Sequence, residues 1–177
     1  MNDSLKTLYE EHAIIVNVID AAKNAGALIA RDPDEYDAYI RKLIHFFRTY
    51  ADQYHHFKEE EILFPEMAKR NELLGGSILQ EMLENHEDFR EMIKNIEVNL
   101  NKKDFRKAQQ ELIAYTESLL DHIAAENEEV FPMAETLFSD TELNNLHFRF
   151  EDTDRLLGEK QKTELADLSR KLLEDQL

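Results

Sequence analysis

Apolar residues recur at helical spacing almost from one end of the chain to the other, and nothing alternates with the period of a strand. On a first segment, about Ser4 to Ala25, the residues Leu5, Leu8, His12, Ile15, Ile19 and Ala22 share one stripe. Gly26 to Pro33 closes that segment, and Asp32-Pro33-Asp34-Glu35 is a start signal for a second helix over about Asp34 to Lys69. Pro65 falls late in the second helix and predicts a kink there, or the end of its regular part. Asn71 to Ser77, with Gly75-Gly76, is the clearest turn, and Ser77 is the expected cap of a third helix reaching about Leu100. Asn101-Lys102-Lys103 is a short connection, after which Asp104 caps a fourth helix that runs past Pro132 to about Phe138. Ser139-Asp140-Thr141-Glu142 then opens a more highly charged fifth segment. Helices two and four are each roughly 35 residues, or about 50 Å. Long helices with short connections predict an all-α, up-down-up-down four-helix bundle over residues 1–138. Residues 139–177 form an amphipathic helical extension with Leu143, Leu146, Phe150, Leu156, Leu157, Leu165, Leu168 and Leu172, expected to pack on the bundle or on a second copy of the chain.

Superimposed on this periodicity is a sequence pattern that occurs twice, 67 residues apart. His55-His56-Phe57-Lys58-Glu59-Glu60-Glu61-Ile62-Leu63-Phe64-Pro65 aligns without a gap on His122-Ile123-Ala124-Ala125-Glu126-Asn127-Glu128-Glu129-Val130-Phe131-Pro132. In both copies an imidazole and a carboxylate stand four residues apart, which on a helix puts them on one face, one turn apart. His12 on the first helix and His86, in Glu84-Asn85-His86-Glu87 on the third, complete the pattern. Each helix of the bundle then offers one inward imidazole, and the second and fourth each add a carboxylate. Such a set, borderline to hard, suits iron or manganese better than four-coordinate zinc.

Composition narrows the chemistry. The absence of any Cys excludes disulfides, thiolate ligands and a cysteine nucleophile. A net charge of −17 opposes binding to nucleic acid and to anionic membranes, so neither is an expected partner. The N-terminal Met1-Asn2-Asp3-Ser4-Leu5 has no basic region leading into an apolar run, and no stretch reads as a membrane span of roughly 20 apolar residues. The cytoplasm is therefore the expected address.

The succession of His12, His55-x-x-x-Glu59 with Leu63-Phe64-Pro65, Asn85-His86-Glu87, and His122-x-x-x-Glu126 with Val130-Phe131-Pro132 resembles the hemerythrin-like HHE cation-binding family over about residues 5 to 138. The resemblance implies a four-helix bundle around a carboxylate-bridged, non-haem centre of two iron ions, with manganese or zinc as possible substitutes. It implies His12, His55, Glu59, His86, His122 and Glu126 as metal ligands, with Glu59 and Glu126 as bridges. Oxygen-carrying hemerythrins have a second histidine four residues from the first on helix three, where this chain has Met82 and Arg90 around His86. Their fourth helix places its carboxylate five residues after His, against four here. His56 is the candidate for the missing imidazole: at about 100° per residue Glu59 projects between His55 and His56 and can bridge a metal on each.

A lone histidine on an apolar face is ordinarily a packing residue, and His45 and His147, which have no partner in the other repeat, are read that way. Glu60 and Glu61 are expected outside the ligand set, and Arg90 as a surface ion-pair partner. Phe89, Tyr115, Ile15, Ile19, Met82 and Leu83 fall on the ligand faces, where they pack the core and keep the pocket dry. The resemblance implies binding of O2 or a related diatomic, NO or peroxide among them, in oxygen binding, sensing or iron handling, rather than a dedicated enzyme with catalytic residues of its own. Turnover of nitric oxide or peroxide, repair of iron–sulfur clusters, and a signalling module acting through the fifth segment are the competing expectations.

Overall fold

The computed structural model describes residues 3–174, in which six helices and no strand occur. Helix α1 is Asp3–Asn24, α2 spans residues 33–70, α3 is Ile78–Asn101, α4 spans 105–137, α5 is Asp140–Leu157 and α6 is Glu159–Glu174. The first four form the bundle: α1 packs on α2 and α4, and α3 packs on the same two. Helices α5 and α6 lie along α1 and α2.

Local chemistry explains most boundaries. The chain stays helical past Gly26, through a 3₁₀ turn Ala25–Ala27 and a short turn Leu28–Arg31, and breaks only at Asp32. There the Asp32 carboxylate accepts the amides of Asp34 and Glu35, with Pro33 at the first helical position. Ser77 does not cap α3 with its side chain. Its hydroxyl donates back to the carbonyls of Leu73 and Leu74, satisfying the preceding turn instead. Asp104 caps α4 at the Lys107 amide, and Ser139 with Glu142 forms a capping box on α5. The fifth segment is two helices, because Gly158 takes φ +87°, a conformation that favours glycine. Leu143, Leu146, Phe150, Leu165 and Leu172 are buried, Leu168 is partly so, and Leu156 is exposed. The side chain of Leu157 and residues 175–177 lie outside the described residues.

Contrary to the sequence expectation, residues Leu5–Arg31 are long and apolar enough, by composition, to cross a membrane. Within the bundle, however, Leu5, Leu8, Ile15, Val18, Ile19, Ala21 and Ala22 of this stretch are core residues.

Pro65 and Pro132 neither stop nor break their helices. Each follows a wide, π-helical turn, Glu59–Leu63 or Glu126–Val130, in which the amide just before the proline reaches five residues back: Phe64 to the Glu59 carbonyl, Phe131 to the Glu126 carbonyl. A proline cannot donate to the carbonyl four residues behind it and its ring would strike that carbonyl, so widening the turn accommodates it without a break. A longer wide stretch, Phe47–His56, runs into the start of the first motif. Fewer degrees per residue, about 80° instead of 100°, help the neighbours His55 and His56 both to point inward; they are 0% and 2% exposed.

Candidate metal centre

Along each bundle helix the donors lie between two apolar clusters. One is built around Ile15, Ile40, Phe47, Ile93, Tyr115 and Leu119, the other around Leu8, Leu63, Met67, Met82 and Phe131. The two Phe-Pro motifs supply the walls of this layer. Phe131 stacks on His12 at 5.3 Å between ring centres, and Phe64 stacks on His86 at 6.2 Å.

All seven residues singled out in the sequence converge there. His12, His55, Glu59 and Glu126 form one group, and His56, His86, His122 and Glu59 a second; within each group the donor atoms lie within 4.8 Å of one another. Glu59 belongs to both. Glu126 also reaches both, with its oxygens 3.2 Å from Nε2 of His12 and 3.2 Å from Nε2 of His122. The nearest ring nitrogens to Glu59 are those of His55 at 3.4 Å and His86 at 3.7 Å. His56 stacks face to face on His86, ring centres 3.8 Å apart. His45 is exposed and His147 pairs with Glu151 at 3.6 Å, both away from the cluster.

The outward ring nitrogens have their own partners. Nδ1–H of His12 donates to the Asn127 side-chain oxygen at 2.8 Å, that of His55 to Glu11 at 2.8 Å, and that of His86 to Glu60 at 2.7 Å. The Asn85 amide lies 3.5 Å from Nδ1 of His122. In His12, His55 and His86, with Nδ1 carrying the proton, Nε2 is left bare. Yet the Nε2 atoms of His12 and His55 face each other at 2.8 Å, and those of His86 and His122 at 3.0 Å. None of the four oxygens of Glu59 and Glu126 has a hydrogen-bond partner, although both carboxyl groups are fully buried. Lone pairs turned on lone pairs in a dry interior are costly unless a cation stands among them. The donor set therefore fits metal ions, and each imidazole–carboxylate group can hold one.

Electrostatics agree. Burial, reinforced by the neighbouring His12, pushes His55 down to about 4, and burial with the neighbouring His86 holds His56 well below the usual histidine range. Burial also lowers His86. These rings are thus neutral, as ligands must be. Burial and the adjacent Glu126 carboxylate push Glu59 well above the ordinary carboxylate range; in Glu126 the same burial is outweighed by His122 and His12, which hold it well below. Two carboxylates this close resist ionising together, and a bound cation removes the conflict.

The model of the hemerythrin HHE cation binding domain matches residues 3–134. The chain belongs to that family. No curated protein and no solved structure gives a match. The HHE domain covers α1 to α3 and α4 as far as residue 134, and the buried histidine and glutamate groups could hold the cations that the family binds.

Beyond the candidate donors, the sequence reading missed the residues that orient them. Glu11 and Asn85 each precede a histidine, of α1 and α3, and face the histidine of α2 and α4; Glu60 and Asn127 each follow one of the two buried glutamates and hold the histidine of α3 and α1. A polar residue next to each of His12, Glu59, His86 and Glu126 was the available signal. Arg90 is an ion-pair partner as expected, but of Glu60 and Asp52, both at 2.7 Å, so it supports the His86 side.

Proposed function

We propose that the HHE domain of this chain holds two metal ions, iron by preference, and binds O2 or a related small diatomic at them. One observation carries this reading: two groups of four buried donors share Glu59, and the oxygens of both glutamates have no hydrogen-bond partner in the protein. His12, His55 and Glu126 would hold one ion and His56, His86 and His122 the other, with Glu59 common to both and Glu126 in reach of both. Five imidazoles, two carboxylates and no thiolate favour iron or manganese over zinc or copper(I). Bound iron would supply reversible electron transfer to a small ligand. The chain's own residues set the conditions for it. Glu11, Asn127 and Glu60 fix the protonated Nδ1 of three rings, and Phe64, Phe131, Met82 and Phe89 keep water sparse around them.

Two cavities favour access on the side of His56 and His122. One of about 210 Å³ is lined by His56, Phe47, Phe89, Tyr115, Asp52 and Arg90, the other of about 310 Å³ by His122, Met82, Asn85, Phe89, Asp121 and Ala125. The test is metal analysis with an absorption spectrum on protein from iron-supplied cells. About two irons per chain and a charge-transfer spectrum that changes reversibly with O2 are expected. Colourless protein free of iron would overturn the reading, and irreversible oxidation with peroxide consumption would replace binding by turnover.

A further inference from the structure

Within the 67-residue repeat two inward polar residues have no counterpart: His56 stands opposite Ile123, and Lys58 opposite Ala125. Lys58 changes what its side of the centre can do. Around His122, the residues Asn85, Ser118, Asp121 and Ala125 line the larger cavity. The corresponding places around His55 are Glu11, Ala51, Tyr54 and Lys58, and there Lys58 fills the interior.

Lys58 is 0% exposed. Its ammonium donates to one oxygen of Glu11 and, at 2.7 Å, to Asp154 of α5, and it lies 3.8 Å above the Tyr54 ring. The Tyr54 hydroxyl donates to the same Asp154 oxygen at 2.7 Å. The second oxygen of Glu11 accepts Nδ1–H of His55. A continuous line of charge-assisted contacts thus runs from the C-terminal extension to the inner donors: Asp154, Lys58, Glu11, His55. A buried ammonium is tolerated only when paired, and the alanine at the equivalent place in α4 means that the cation is no fixed part of the repeat.

We infer, on the two-metal reading above, that Lys58 and Asp154 are positioning residues for the metal at His12 and His55. Asp154 anchors Lys58, Lys58 orients the Glu11 carboxylate, and Glu11 fixes the His55 ring with Nε2 turned to the metal. The extension is in this way a working part of the centre, and it acts on one half only.

Cobalt(II) titration of the full chain, read by visible absorption and metal analysis, tests this. Asp154→Asn keeps the side chain's shape and removes its charge. Wild type is expected to take two equivalents. Asp154→Asn should retain one at wild-type affinity and bind the other about 10- to 100-fold more weakly, and Glu11→Gln should alter the same absorption bands. If Asp154→Asn fails to fold by circular dichroism, the double variant Lys58→Met/Asp154→Leu exchanges the ion pair for apolar groups and should show the same selective loss. Two equivalents at unchanged affinity and spectrum, or equal weakening of both, would overturn the positioning role and leave the two-metal reading standing. A wild-type chain that takes up no cobalt, iron or manganese would overturn both.

Discussion

The half of the centre around His12 and His55 and the half around His86 and His122 are assembled from matching parts. Each has a histidine from a motif-bearing helix, a histidine from a neighbouring helix, a phenylalanine stacked on the latter, and one carboxylate and one amide behind the rings. They differ in closure. The first is backed by a buried lysine and covered by α5. The second is backed by Arg90, whose side chain is 27% exposed, gains His56, and opens on two cavities. Sequence duplication supplies two similar sites; two unrepeated residues and an added helix make them unequal. A bridged pair in which one ion is enclosed and the other accessible is an arrangement in which a small ligand meets only one of them.

The widest separation between the halves is expected from their cations. Lys58→Ala takes the shared cation from the buried Glu11 and the partly exposed Asp154, at a cost of about 3 kcal/mol to the metal-free protein. Arg90→Ala removes an ion pair that water can replace, at about 1 kcal/mol or less. Urea denaturation of the two variants measures both. Equal costs would mean that the lysine side is no more closed than the arginine side.

His56→Ala acts on the open half alone. If His56 completes the second group, iron per chain should fall from about two toward one, with binding at that half weakened roughly 100-fold and the His12/His55 ion retained. Two irons per chain with an unaltered spectrum would reduce His56 to a stacking partner of His86.

Much of this was legible in the chain. The 3.6-residue period gave α1 to α4 to within a few residues, because amphipathic helices bury one stripe whatever their partners. The convergence of the candidate donors followed from the repeat and from His12 and His86 at the matching depth. Local bonds were harder to read. Ser77 had the right residue type and position for a cap but satisfied a different carbonyl, and Pro65 was accommodated by a wide turn that no residue count reveals. Asp154 and Lys58 were out of reach for a different reason: they lie 96 residues apart, and only the return of α5 across α2 brings them together. Glu11, Glu60, Asn85 and Asn127 were visible as neighbours of ligands, but which ring each serves depends on which helix lies opposite.

The smallest expected effect bears most directly on access. Ala125 is half-buried at the wall of the larger cavity, where the equivalent residue of the closed half is Lys58. Ala125→Leu would narrow that passage with an apolar group that favours helix, leaving every donor in place. Stability should stay within about 0.5 kcal/mol, and equilibrium metal content should remain at two per chain. The rate is what should change: stopped-flow uptake of cobalt(II) should slow by about 3-fold in the phase belonging to the His86/His122 half, an effect worth roughly 0.6 kcal/mol in the barrier. A slowed uptake with unchanged stoichiometry makes this cavity the route to the open half. An unchanged rate assigns the route to the second cavity, beside His56 and Arg90, and confines the role of Ala125 to leaving room that Lys58 takes on the other side.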